Sequence, residues 1–279
     1  MYEHIDMCMC THNYVYMYKG GVELIITFIN EKGGVGKTSL CFNSAWYFAE
    51  QGKRVLMVDL DGQRANLTYM AGIDKTQSTA TMYDVLTKKE NIKRTVLVVE
   101  DNLHIVPATN AVINLTAQNG SIDTMRAAMR EVEPYYDYVF IDVSPSPNRS
   151  HALALAASDY VIIPMLADIM SLESNMGISA SIKHVQSEVN DRLRVLGIVF
   201  NKYTWRTKLS KQVLNAAEKM ASSLNSRVFS SHIRNNVSLA ECVGKHIGIT
   251  TYDPKSNGAD DIRMFCKEII KEVNKHEQK

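Results

Sequence analysis

The stretch Leu24-Ile25-Ile26-Thr27-Phe28-Ile29-Asn30-Glu31-Lys32-Gly33-Gly34-Val35-Gly36-Lys37-Thr38-Ser39 decides the fold. An apolar run suited to a buried strand leads through three glycines into a helix-like segment. Glycines let backbone N–H groups turn inward on phosphate oxygens, and the N-terminus of the next helix adds partial positive charge. Gly33, Gly34, Val35, Gly36, Lys37, Thr38 and Ser39 therefore read as a nucleotide-phosphate cradle. Lys37 is placed to reach the β- and γ-phosphates, and the Thr38 hydroxyl to ligate Mg²⁺. The common pattern G-x-x-x-x-G-K-[ST] is not met, because Glu31 occupies its first glycine position. What stands instead is K-G-G-x-G-K-T-S, with a second lysine, Lys32, at the front.

Outward from this loop, short apolar runs alternate with helical stretches. Val55-Leu56-Met57-Val58-Asp59, Leu103-His104-Ile105-Val106, Tyr138-Val139-Phe140-Ile141-Asp142, Tyr160-Val161-Ile162-Ile163-Pro164 and Val195-Leu196-Gly197-Ile198-Val199-Phe200 read as strands. A weaker strand signal covers 228–233. Helical patterns cover 43–50, 121–132, 172–189, 209–224 and 260–274. Strands alternating with helices predict βαβ units, and so an α/β fold with a mainly parallel twisted sheet flanked by helices. No repeat or low-complexity linker divides residues 22–279, which are expected to form one domain.

Composition narrows the function classes. With 279 residues and 46% apolar content, the chain can build an ordinary globular core. No apolar run reaches the ~18 residues that span a bilayer, so a soluble protein is expected. The net charge of +1 gives no global field for nucleic acid, and any such binding must come from a local patch. Five scattered cysteines in a chain of this size fit reduced thiols better than a disulfide framework. Residues 1–21 mix Met, Cys, His and Tyr with no helical or strand period and lack the order of a signal peptide. Lys19-Gly20-Gly21 is what a ribosome-binding site would spell if translated. The expectation is a leader or disordered arm ahead of a natural start near Leu24.

Two further constellations carry chemistry. In an open parallel sheet, ligands gather at the carboxyl ends of strands. That brings Asp59 and Asp61, in Asp59-Leu60-Asp61-Gly62-Gln63, toward the phosphate loop, although a helix-capping pair is the alternative. Asp142 ends another strand, where a carboxylate can hold Mg²⁺ through bound water. After it, Val143-Ser144-Pro145-Ser146-Pro147 reads as a switch segment, or as a simple turn. Asn201, at the end of the strand 195–200, fits a helix or turn cap.

The two-lysine loop resembles the deviant Walker A motif of the ParA/MinD class of ATPases. D-x-D-P-Q-x-N of the ParA family is matched by Asp59, Asp61 and Gln63, with Gly62 in place of proline and Asn66 one residue beyond the pattern's asparagine. Tyr252-Asp253-Pro254-Lys255-Ser256-Asn257-Gly258-Ala259 is similar to the family's Y-D-P-K-S-x-G-A. The resemblance runs from about Leu24 to Ile270 and implies a slow ATPase using ATP and Mg²⁺. It assigns Asp61 to positioning the attacking water, and Thr38, Asp59 and Asp142 to the metal. Asn201, Asp253 and Pro254 are assigned to the base. Lys32 would cross to a partner's nucleotide, so an ATP-state homodimer is implied, with Lys32, Lys37 and Asp61 as the catalytic set.

The family also implies DNA contact. Its Y-D-x-R-T-x-L-S-x-Q-V is similar to 203–213, so Arg206 matches the arginine, with Lys208 and Lys211 beside it. A second family arginine is Ser238 here, and Arg234 and Lys245 are the substitutes considered. The residues ahead of Leu24 are too few for the separate DNA-binding domain of longer members, so non-specific DNA is the expected partner, with a ParB-like activator. The expected setting is cytoplasmic and nucleoid-associated, and the expected task is plasmid, chromosome or mobile-element partition. A MinD-like positioning ATPase acting on a protein or membrane cargo is the alternative. It would use an amphipathic C-terminal helix, but Ile262, Phe265, Cys266, Ile269, Ile270 and Val273 read instead as a core stripe. A reductase like the nitrogenase iron protein would need paired cysteines, yet none follows Asp142 until Cys242.

Overall fold

The computed structural model describes residues 5–9, 14–18, 24–74, 80–146, 149–203 and 208–278. Two short strands, β1 (Ile5–Met9) and β2 (Tyr14–Tyr18), pair antiparallel in a sheet of their own. They lie in the stretch expected to be a leader or disordered arm, whose sequence shows no strand period.

The remaining strands are β3 (Leu24–Phe28), β4 (Val55–Leu60), β5 (Leu97–Glu100), β6 (Leu103–Val106), β7 (Tyr138–Val143), β8 (Tyr160–Leu166), β9 (Arg194–Tyr203) and β10 (Ile233–Arg234). They form one sheet in the order β10-β9-β8-β3-β7-β4-β6-β5, parallel throughout except for β5 against β6. Alternate side chains of each central strand feed opposite cores. Ile25, Leu56, Val58, Val139, Ile141, Val161 and Ile163 join one cluster, while Ile26, Phe28, Val55, Met57, Phe140 and Ile162 join the other. Burial on both faces is why these segments read as continuous apolar runs rather than alternating ones.

The helices are α1 (Lys37–Glu50), α2 (Asn66–Met70), α3 (Met82–Leu86), α4 (Ile92–Thr95), α5 (Ile122–Val132), α6 (Arg149–Ala157), α7 (Ile169–Glu188), α8 (Lys208–Ser223), α9 (Ser238–Glu241), α10 (Ile249–Tyr252) and α11 (Asn257–Glu277). Helices α1 and α11 cover one face, and α5 and α6 the other. Ser121 caps α5 by accepting the Thr124 amide, and Ser256 caps α11 by accepting that of Ala259. The stripe Ile262, Phe265, Cys266, Ile269 and Val273 of α11 is fully buried against α1 and the sheet. No helix among the described residues is long and apolar enough to cross a membrane. Cys41, Cys242 and Cys266 are buried free thiols, and burial raises the pKa of all three.

The register sets up the site. Asp59 on β4 and Asp142 on β7 are direct cross-strand partners, and β7 lies beside β3, which ends at the phosphate loop. Three strand ends thus deliver two carboxylates and the glycine loop to one place.

Candidate functional site

The loop between β3 and α1 needs its glycines. Gly34 and Gly36 have φ of 77° and 95°, in the left-handed region that favours glycine. At Gly36 there is a second reason: a Cβ would sit on the Asn201 amide nitrogen. Asn201 Nδ2 donates to the Val35 carbonyl at 2.9 Å, and its Oδ1 accepts the Lys202 amide at 2.9 Å. The amide expected at a purine edge is instead engaged beneath the phosphate loop, anchoring it to β9.

A cavity of about 480 Å³ opens over this loop, lined by Gly33, Gly34, Gly36, Lys37, Thr38 and Ser39 and by Asp61, Gln63, Arg64, Asn66, Tyr69, Met70, Val143, Pro145 and Val243. Neither Asn201, Asp253 nor Pro254 is part of that lining. Asp253 Oδ2 accepts from the Ser238 hydroxyl at 3.0 Å, and the Pro254 carbonyl accepts from Arg263 at 2.8 Å. The residue standing where the family has an arginine is therefore tied to the loop expected at the base. A larger cavity of about 610 Å³, between Lys88 and Glu131, shares no residue with the phosphate loop and has no glycine cradle.

Inside the site the charges are buried and compete. Lys37 is 5% exposed, and its Nζ lies 3.3 Å from the Lys32 carbonyl. Burial lowers its pKa, while the Asp142 and Asp61 charges oppose the shift. Asp142 is fully buried, and burial, reinforced by the Asp59 charge, holds its carboxyl well above the usual range. Its Oδ2 accepts the Thr38 hydroxyl at 2.7 Å, whereas its Oδ1 has no hydrogen-bond partner among the described residues. A buried carboxylate oxygen without a donor is costly by itself. A divalent cation held through Thr38 and Asp142 would supply the missing charge, so these two residues fit Mg²⁺.

Asp59 does not complete that pair. Its Oδ1 accepts the Asp61 amide at 2.8 Å, and its Oδ2 accepts both the Thr68 amide at 2.9 Å and hydroxyl at 2.7 Å. Expected as a metal ligand, Asp59 instead shapes the turn that carries Asp61. Burial raises its pKa to about 6 despite these donors. Asp61 is 3% exposed at the cavity wall, and its Oδ1 accepts the Gln63 amide at 3.0 Å. The Gln63 and Arg64 amides both donate to Oδ1, so Oδ2 is the oxygen placed to orient a water.

Lys32 has a partner in its own chain. Its Nζ lies 2.7 and 2.8 Å from the two Asp168 oxygens, just beyond the end of β8. No such target for Lys32 is legible in the sequence, because the two residues are 136 positions apart and only the β3–β8 pairing joins them.

Among the expected DNA contacts, Arg206 lies outside the described residues, as does the side chain of Lys208, the first residue of α8. Lys211 and Lys245 are exposed. The Arg234 guanidinium forms a fork with Asp261, with Nη2 2.7 Å from Oδ1 and Nε 2.9 Å from Oδ2, while its side chain stays 44% exposed.

A family model described as an AAA domain matches residues 23–195. The chain is 35% identical to the "Chromosome-partitioning ATPase Soj" of Thermus thermophilus, over 89% of this chain and 96% of that protein. It is 34% identical to the "Sporulation initiation inhibitor protein Soj" of Bacillus subtilis, over 88% and 97%. Its fold also matches the septum site-determining protein MinD of Pyrococcus horikoshii, solved with Mg-ADP, at a TM-score of 0.72 and 22% identity over 89% of this chain and 96% of that one. With the two-lysine loop, the paired strand-end carboxylates and relatives that align almost end to end, the chain belongs to the ParA family of ATPases.

Proposed function

We propose that this ATPase serves DNA partition, cycling between an ATP-bound dimer on DNA and a released ADP form. The observation that carries the reading is the two-lysine phosphate loop facing Asp61 across one cavity. ATP with Mg²⁺ is the ligand: Lys37 and the loop amides hold the phosphates, and Thr38 with Asp142 holds the metal. The metal, when bound, neutralises charge on the phosphate oxygens. Asp61 orients the attacking water, and Gly33 and Gly34 let backbone approach the phosphates closely.

Lys32 acts in trans in this reading. Moving it to a partner's phosphates means giving up Asp168, a pair whose side chains are 22% and 40% exposed. Partly exposed pairs are worth about 0–1 kcal/mol, so the exchange is inexpensive. Arg206, Lys208, Lys211 and Lys245 contact DNA phosphates without reading sequence, and a ParB-like protein stimulates hydrolysis. The MinD-like alternative is weakened by α11, whose apolar stripe is occupied in the core.

The test is a salt titration of duplex binding with and without ATP, for the parent and for Arg206→Ala/Lys208→Ala. Retention should require ATP, because pairing two weak patches multiplies their effect. The double variant should flatten the salt slope by roughly one unit per lost phosphate contact. A parent that binds no DNA at low salt with ATP would overturn the DNA reading and leave a protein or membrane cargo.

A further inference from the structure

The segment 143–146, between β7 and α6, has outrun its sheet. Val143 is the last residue of β7 and pairs with Leu60, the last residue of β4. The pairing of the two strands ends there, and Ser144, the next residue, is fully buried. A buried carbonyl there needs a donor from elsewhere. It has one in His151 of α6, itself 5% exposed, whose Nε2 lies 2.7 Å from the Ser144 oxygen. A carbonyl only accepts, so Nε2 carries the proton, and burial keeps the ring neutral.

From Ser144 the contacts run to the water-orienting loop. The Ser144 hydroxyl lies 3.3 Å from the Ser146 carbonyl, and the Gln63 side-chain amide donates to the Ser146 hydroxyl at 2.7 Å. The Gln63 backbone amide in turn donates to Asp61. Val143 and Pro145 of the same segment line the phosphate cavity. The segment is therefore held at one end by α6 and at the other by the loop that carries Asp61.

We infer that His151 is a positioning residue for hydrolysis, fixing segment 143–146 so that Gln63 and Asp61 keep their places against the phosphate cavity. Its hydrogen bond goes to this segment rather than to the phosphate loop, so its effect falls on turnover more than on nucleotide capture. This rests on the assignment of Asp61 to the attacking water.

The experiment compares the parent with His151→Leu, which keeps bulk and removes the donor, and His151→Gln, which restores an amide donor at similar reach. Measured for each are kcat of ATP hydrolysis, Kd for a fluorescent ADP, and thermal stability. Misplacement of a reacting group by about 1 Å costs roughly 100-fold, so His151→Leu should lose about 10- to 100-fold in kcat with the ADP Kd unchanged. His151→Gln should recover most of that loss. Parent kcat in His151→Leu overturns the inference, and so does a His151→Gln variant as slow as His151→Leu, which would reduce the residue to packing. If His151→Leu does not fold, Ser146→Ala decides, because it cuts the same chain at its exposed end: slowed turnover supports the inference and parent turnover overturns it. Asp61→Ala is run in parallel. Parent-rate hydrolysis in that variant would overturn the assignment of Asp61 while leaving the His151 measurement to stand or fall by itself.

Discussion

Gly62 separates Asp61 from Gln63, at the place where the family pattern carries proline, and the structure leaves no room for either proline or alanine. A Cβ built on Gly62 would lie 2.7 Å from the Ile113 backbone nitrogen, 2.9 Å from Val112 Cβ and 3.0 Å from Ile113 Cγ1. Those residues belong to a 3₁₀ turn, Asn110–Asn114, seated directly on the carboxylate loop. Gly62 is not among the glycines with positive φ, so Gly62→Ala tests space alone. The nearest obstacle is backbone, which no side-chain rotation can move aside. Overpacking of this kind costs about 1–3 kcal/mol. At about 2–4 °C per kcal/mol for a protein of this size, the melting temperature should fall by roughly 2–12 °C. Turnover should suffer more than nucleotide affinity, because Asp61 is the immediate neighbour while Lys37 and the glycine loop are untouched. Thermal unfolding, steady-state hydrolysis and nucleotide titration measure the three effects. A variant with the parent's melting temperature and turnover would refute the close approach of 112–113 to Gly62.

Lys37→Ala should abolish ATP binding in a titration, since the β- and γ-phosphates lose their charge partner in the loop. Asp168→Asn frees Lys32 from its ion pair; it should change stability by less than about 1 kcal/mol and speed ATP-dependent association, followed by light scattering. The nucleotide-free protein should lose stability as pH rises. Folded Asp59 keeps its proton up to about pH 6, while the unfolded carboxyl releases it near 3.8, so the folded state binds more protons in between. Its contribution is complete below about pH 3.8 and is lost as pH passes 6, on the order of 3 kcal/mol in all. Denaturant titrations from pH 4 to 7 should show a shallower decline in Asp59→Asn than in the parent.

The central strands were legible because burial on both faces leaves unbroken apolar runs, and Leu103–Val106 appears in the structure with the boundaries read from the sequence. The edge strand Leu97–Glu100 was missed. It alternates between half-buried and exposed residues and runs antiparallel, and so lacks the signature of its neighbours. Helices of one turn, such as Asn66–Met70, carry no period to detect. Within the site, the spacing of Asp59 and Asp61 showed that both approach the loop but not which faces the ligand. That was decided by Thr68, nine residues onward, whose amide and hydroxyl reach back to Asp59. Asp168 and His151 were invisible for a similar reason. Each matters through a contact with a backbone or side chain that only the packed sheet brings near. The position of Asp168 could have been suspected from strand order, since it follows the end of the strand adjacent to the phosphate loop.

The two borders of the eight-stranded sheet limit how copies of this chain can join. One border is β10, only Ile233–Arg234, with its charged residue locked to Asp261. The other is β5, four residues long and turned against the direction of the rest. A growing β-fibre needs a long, flat row of unpaired backbone groups as its template, and neither border supplies one. The eight-stranded sheet therefore offers no border for continuous strand addition, and contact between copies at this sheet would be made by faces and loops, which a change of bound nucleotide can dissolve.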